Sequence, residues 1–159
     1  EQEDGSLSHH AFLDISGKSP ILNFIEKLIN DVGNEGPILV WNQGFESSRL
    51  NDLARMFPQY SHHIERITSR MVDLLPIYRQ HYYHADMRGS WSIKNVLPTV
   101  APDLDYGDLE VSGGQAAQDE YKKALDPDLA PEEVKVIELS LLAYCERDTL
   151  ALVRLANAW

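Results

Sequence analysis

SPILNFIEKLINDVGNEGPILVW, residues 19–41, carries the fold class in two consecutive pieces. The first predicts a helix. Ser19 is a cap residue, Pro20 suits the first helical position, and Gly33 marks the stop. Ile21, Leu22, Ile25, Leu28, Ile29 and Val32 recur at helical spacing. The second piece, PILVW, is short, continuously apolar and bounded by Gly36 and Asn42, the pattern of a strand covered by helices on both faces. HHAFLDI, residues 9–15, reads as a short, weakly patterned strand before them. Strand, helix, strand is the rhythm of a layered α/β fold.

Downstream the pattern turns helical. FESSRLNDLARMF (45–57), SHHIERITSRM (61–71), VDLLPIYRQHYY (72–83), SIKNVLPTV (92–100) and GQAAQDEYKKAL (114–125) each predict a helix, and a long one begins near Pro131. Asp73 is placed as a helix cap, with Pro76 in the first turn behind it. Two strands are too few for a sheet that covers two helical layers. Residues 1–159 therefore read as one domain that lacks its first strands.

Composition narrows the function classes. At 43 % hydrophobic residues the chain is neither a disordered segment nor a membrane protein, and no apolar run approaches a bilayer span. EQEDGSLSHH has no signal-peptide pattern. A lone cysteine, Cys145, excludes an internal disulfide and a CxxC zinc site. A cytoplasmic, reducing location is expected. The net charge of −11 makes the whole surface a poor binder of nucleic acid. Between His62 and Lys94, however, five basic residues (Arg66, Arg70, Arg79, Arg88, Lys94) face three acidic ones, among several aromatic rings. That segment is either a solvated helical surface or a local track for an anionic strand whose bases stack on the rings.

Two acids sit where plain architecture would not put them. In LLAYCERDTLALV, residues 141–153, Asp148 falls on the apolar stripe with Leu141, one turn after Tyr144. A buried carboxylate needs a cation, a hydrogen-bond network or a metal. The structural alternative is an ion pair with Arg147 or Arg49, or a helix turned to expose the acid. In VWNQGFESSRL, residues 40–50, Asn42 ends the buried strand and Glu46 opens the next helix. Ligands of open α/β sheets collect at the carboxyl ends of strands. Helix capping for Glu46 and a turn for Asn42 are the structural alternatives.

Asn-x-x-x-acid after a strand, then Tyr-x-x-x-Asp on a late helix, resembles the second and third motifs of the DEDD exonucleases, tyrosine subclass, which have the ribonuclease H-like fold. NQGFESSRL, MVDLLP, GSWSIKNVLP, LDYGDLEVSGGQA and LLAYCERDT, in that order over residues 36–156, more closely resemble a prokaryotic domain family of unknown function grouped with those nucleases. The resemblance implies metal-dependent 3′–5′ hydrolysis of phosphodiesters at a single-stranded DNA or RNA end, with no membrane partner. Two Mg²⁺ or Mn²⁺ ions ~4 Å apart would be held by hard carboxylate oxygens. It implies Glu46 and Asp148 as metal ligands, and Tyr144 as the group orienting the attacking water. Asn42 would position substrate, with Lys94 and Asp73 as lesser substrate contacts. The family's first motif, Asp-x-Glu on a strand, is absent, since Asp14 has no Glu two residues on. The chain then corresponds to the C-terminal portion of such a domain, with the pair expected upstream in a longer parent. By itself it is expected to bind metal poorly and to be inactive.

A degenerate nuclease fold serving as a nucleic-acid or protein binding module is the alternative. A zinc hydrolase built on the six histidines is disfavoured, because no HExxH pattern is present.

Overall fold

The computed structural model describes residues 6–158. Among them, seven helices and two strands follow in order: α1 Ile21–Val32, β1 Ile38–Val40, α2 Gln43–Met56, α3 Ser61–Ser69, β2 Met71–Asp73, α4 Leu74–His81, α5 Ile93–Val100, α6 Gly114–Ala124 and α7 Pro131–Ala156. Single 3₁₀ turns lie at Pro58–Tyr60 and Ala85–Met87.

The two strands pair in parallel, Ile38 with Met71, Leu39 with Val72 and Val40 with Asp73. A parallel pair needs a long crossover, which α2 and α3 supply. Side chains alternate across a strand, so neighbours on β1 serve opposite layers. Ile38 packs, with Met71, on a cluster of Leu50, Ile64 and Ile67 that also receives Leu28 and Ile29 of α1. Leu39 packs on the opposite cluster, built from Leu74 and Tyr78 of α4, Val96 and Leu97 of α5, and Ala151 and Leu155 of α7. The result is a three-layer arrangement with a two-stranded sheet between helices. A third cluster, Val111, Ala124, Ile137 and Leu141, joins α6 to α7.

Two polar contacts lock these layers. Tyr78, 1 % exposed, donates its hydroxyl to the Leu155 carbonyl at 2.9 Å, tying α4 to the end of α7. The Arg70 guanidinium donates to the Val32 and Gly33 carbonyls at 3.1 and 2.8 Å, closing the C-terminus of α1 against α3. Gly33 permits that ending, since its φ of +60° lies where a side chain is strained.

The expected strand at 9–15 is not one. That segment has no regular structure. Leu13 and Ile15 instead pack on the α6–α7 cluster, Tyr121 donates its hydroxyl to the Asp14 carbonyl at 2.8 Å, and the Phe12 ring meets Phe24 edge-on at 5.7 Å. The second strand, MVD at 71–73, takes residues that the sequence assigned to the end of one helix (61–71) and the start of the next (72–83), so both helices are shorter than expected. No helix among the described residues is long and apolar enough to cross a membrane.

Candidate carboxylate site

The register of the sheet brings the first group of residues together. Asp73 ends β2 opposite Val40, so its carboxylate lies beside the chain as that chain leaves β1 and enters α2. Oδ1 accepts from the Asn42 amide at 3.0 Å and Oδ2 from the Gln43 amide at 2.9 Å. Oδ1 also accepts from Leu75 at 3.0 Å, which makes Asp73 the N-cap of α4. One carboxylate thus satisfies free amides at the starts of two helices. Asn42 stands between strand and helix in the left-handed region, φ +77°, a conformation Asn tolerates better than most residues. Three backbone donors thus hold the oxygens of Asp73.

Glu46, in the first turn of α2, is in the opposite condition. Its Oε2 is buried without a hydrogen-bond partner. Burial raises its carboxyl above the usual glutamate range, its own backbone N–H offsets part of this, and the neighbouring charge of Asp73 raises it further. With a folded pKa above the unfolded one, Glu46 contributes most favourably below the unfolded value, and that contribution is lost as pH rises through the folded value. Glu46→Gln is therefore expected to stabilise the chain at pH 7. The gain should shrink to nothing at mildly acid pH, where Glu46 is itself neutral. Denaturant midpoints across that range would check this, and a variant no more stable than the parent at pH 7 would contradict it.

The second group gathers on α7. Asp148 is half-buried, and its Oδ1 accepts from the Tyr106 hydroxyl at 2.7 Å. Burial, then hydrogen bonding to Asp148 and its charge, raise both Tyr106 and Tyr144 far above the ordinary phenol range. Both phenols therefore stay protonated, and Tyr106 is the one that donates to Asp148. The Tyr106 and Tyr144 ring centroids lie 6.3 Å apart, and Lys94 Nζ sits 5.2 and 4.9 Å from them. Lys94 also donates to the Ser112 carbonyl. Its ammonium thus sits between two rings and a carbonyl. Neither arginine named as a partner for Asp148 takes that part. Arg147 forms a fork with Asp108 at 2.9 and 2.9 Å, and Arg49 pairs with Asp52. A phenol on the 104–109 loop compensates the carboxylate instead. Tyr106→Phe should remove a charge-assisted hydrogen bond and cost roughly 1.5–3 kcal/mol, read from chemical denaturation. A loss below ~0.5 kcal/mol would mean that Asp148 relies on solvent.

Sequence reasoning did not find Tyr106. A tyrosine in a polar loop carries no periodic signal, and only the packing of that loop on α7 gives it a role.

Glu46 and Asp148 thus occupy two neighbourhoods, one shared with Asp73 at the strand ends and one with two tyrosines and Lys94. Packing of α7 against β1 connects them. Among the described residues no three His, Cys, Asp or Glu side chains form a group that could hold a metal ion. Arg66 binds the Asn34 side chain, while Arg70 and Lys94 hold backbone carbonyls. Arg79 and Arg88 remain exposed.

A family model described as a domain of unknown function (DUF2779) matches residues 1–92. The chain is also similar to the uncharacterized protein UU173 of Ureaplasma parvum serovar 3. The two are 26 % identical over 138 residues, covering 76 % of this chain and 20 % of that protein. The chain therefore spans about a fifth of the length of the curated relative it matches. No solved structure matches it.

Proposed function

The chain belongs to the DUF2779 family, and we propose that it forms part of a ribonuclease H-like, metal-dependent 3′–5′ exonuclease domain. The observation that carries this reading is Glu46. A carboxylate oxygen left buried without a partner, beside a second acid at the carboxyl end of a parallel strand, is costly in the absence of a cation. Hard divalent ions such as Mg²⁺ or Mn²⁺ prefer such oxygens. Asp148 supplies a second carboxylate, and the Asp-x-Glu pair that the reading requires would come from sequence outside this chain. Within these residues the donor set is incomplete. Bound ions would supply activation of a water and stabilisation of the leaving oxygen. Tyr144, held protonated beside Asp148, offers a hydroxyl to orient that water. Asn42 presents its side chain where β1 ends.

The test uses the parent protein. A strand labelled at its 3′ end is incubated with Mn²⁺ and either the unaltered protein or its Glu46→Gln and Asp148→Asn forms. Hydrolysis that survives both substitutions would remove these residues from the site. The chain of 159 residues by itself is expected to bind Mn²⁺ weakly. Tight uptake of two ions in a calorimetric titration would contradict that.

A binding module without catalysis is the second reading. It is favoured by Asp73 and Asp148, whose carboxylates accept hydrogen bonds from the protein itself.

A further inference from the structure

A groove of about 510 Å³ opens at the carboxyl end of β1, between α4 and the loop entering α5, and no acidic side chain lines it. Trp41, Asn42, Arg79, Trp91 and Ser92 face it. Its volume falls within the range of small-ligand sites. Arg79 is exposed, on the outward side of α4, and has no partner among the described residues. In a chain of net charge −11, most other cations are already engaged by acids or carbonyls.

The aromatic wall is fixed in place. Trp41 donates its indole N–H to the Trp91 carbonyl at 3.0 Å, which pins the loop to the strand end. The Trp41 ring packs on Tyr78, with centroids 5.4 Å apart, so its position is set by the core. Ser92 is exposed, and its hydroxyl does not cap α5. Asn42 makes no side-chain cap to α2. Two polar groups are therefore uncommitted at the rim.

A guanidinium by itself takes any anion, and an indole face takes any planar ring. Side by side they select a ligand that carries both. We propose that this groove binds one unpaired nucleotide of a nucleic-acid strand, its base against Trp91 and its phosphate on Arg79, with Ser92 and Asn42 as polar contacts. The inference deepens the hydrolase reading, and it rests on that reading for the strand's course past Glu46. A paired base hides both faces in the duplex stack, so the groove distinguishes single strands from double. One arginine neutralises about one phosphate, so binding falls with salt at a log–log slope of only about −0.7.

The test is a binding titration of the full chain without divalent ions, followed by indole fluorescence. Short oligodeoxythymidylate and oligouridylate are the probes, with AMP, inorganic phosphate and a DNA duplex as competitors. Quenching is expected with both oligonucleotides, and AMP should compete far better than phosphate or duplex. Arg79→Gln and Trp91→Ala should each weaken binding about tenfold, while Trp91→Phe keeps a stacking face and most of the affinity. If Trp91→Ala fails to fold, the exposed Arg79→Gln and the conservative Trp91→Phe still decide the outcome. No quenching, undiminished binding by Arg79→Gln, or phosphate competing as well as AMP would overturn the proposal. Binding that depends on Arg79 in a parent protein that hydrolyses nothing would defeat the hydrolase and leave the groove. Hydrolysis that needs Glu46, with oligonucleotide binding indifferent to Arg79 and Trp91, would defeat the groove alone.

Discussion

Asp73→Ala is expected to destabilise the chain by about 4 kcal/mol, because three charge-assisted hydrogen bonds, one of them the cap of α4, end on one carboxylate. The individual bonds are not additive, yet all three amides belong to helix starts and would be left without an acceptor. The loss concentrates at one place. Asp73 holds the start of α2 to the end of β2, so its removal loosens the junction that positions both Asn42 and Glu46. Asp73→Asn should cost roughly half as much, since its carbonyl oxygen accepts while its NH₂ faces an amide donor. One consequence offsets the damage slightly: without the Asp73 charge, the Glu46 carboxyl moves back toward its ordinary range. Urea denaturation of the two variants checks the order. A cost for Asp73→Ala under ~1 kcal/mol would show that the amides find water and that the clamp is incidental.

The second large effect concerns activity, under the hydrolase reading. In the parent protein, Glu46→Gln and Asp148→Asn should each lower hydrolysis by about a hundredfold or more, since several kcal/mol of transition-state stabilisation depend on carboxylate oxygens. Their stability effects should differ in sign. Glu46→Gln removes a charge that the fold leaves uncompensated, and so raises stability at neutral pH. Asp148→Asn retains a carbonyl oxygen for the Tyr106 hydroxyl but turns a charge-assisted bond into a neutral one, at a cost of about 1 kcal/mol. A residue whose loss improves the fold while abolishing activity is kept for chemistry rather than architecture. If Glu46→Gln neither stabilises nor inactivates, Glu46 is a surface acid and the metal reading fails with it. Comparing melting curves with rates measured on the same preparations decides the matter.

Much of the architecture was legible because long elements advertise themselves. The apolar period of 21–32 and the Gly33 stop mark out α1 closely, although the helix begins at Ile21 with Pro20 at its N-cap and without a Ser19 side-chain cap. Pro131 begins α7 where the sequence placed it. Asp73 was legible as a cap, and its side chain caps α4. What failed was short. HHAFLDI has the composition of a strand, but a strand exists only by pairing, and among the described residues β1 pairs with β2 alone. Met71–Asp73 has too few residues to show a period of two.

The sequence alone determined the helical pattern, the strand at 38–40, the Asp73 cap, the acidic balance and the presence of acids at Glu46 and Asp148, because each follows from residue type and local spacing. The tertiary structure alone decided which acids are compensated, since that depends on groups brought from far along the chain. Tyr106 lies 42 residues from Asp148, and the Asn42 amide 31 from Asp73, at separations that carry no local signal. Burial and partner are properties of the folded neighbourhood, and they leave Asp73 clamped by three amides, Asp148 held by the Tyr106 phenol and Glu46 with an oxygen that nothing answers.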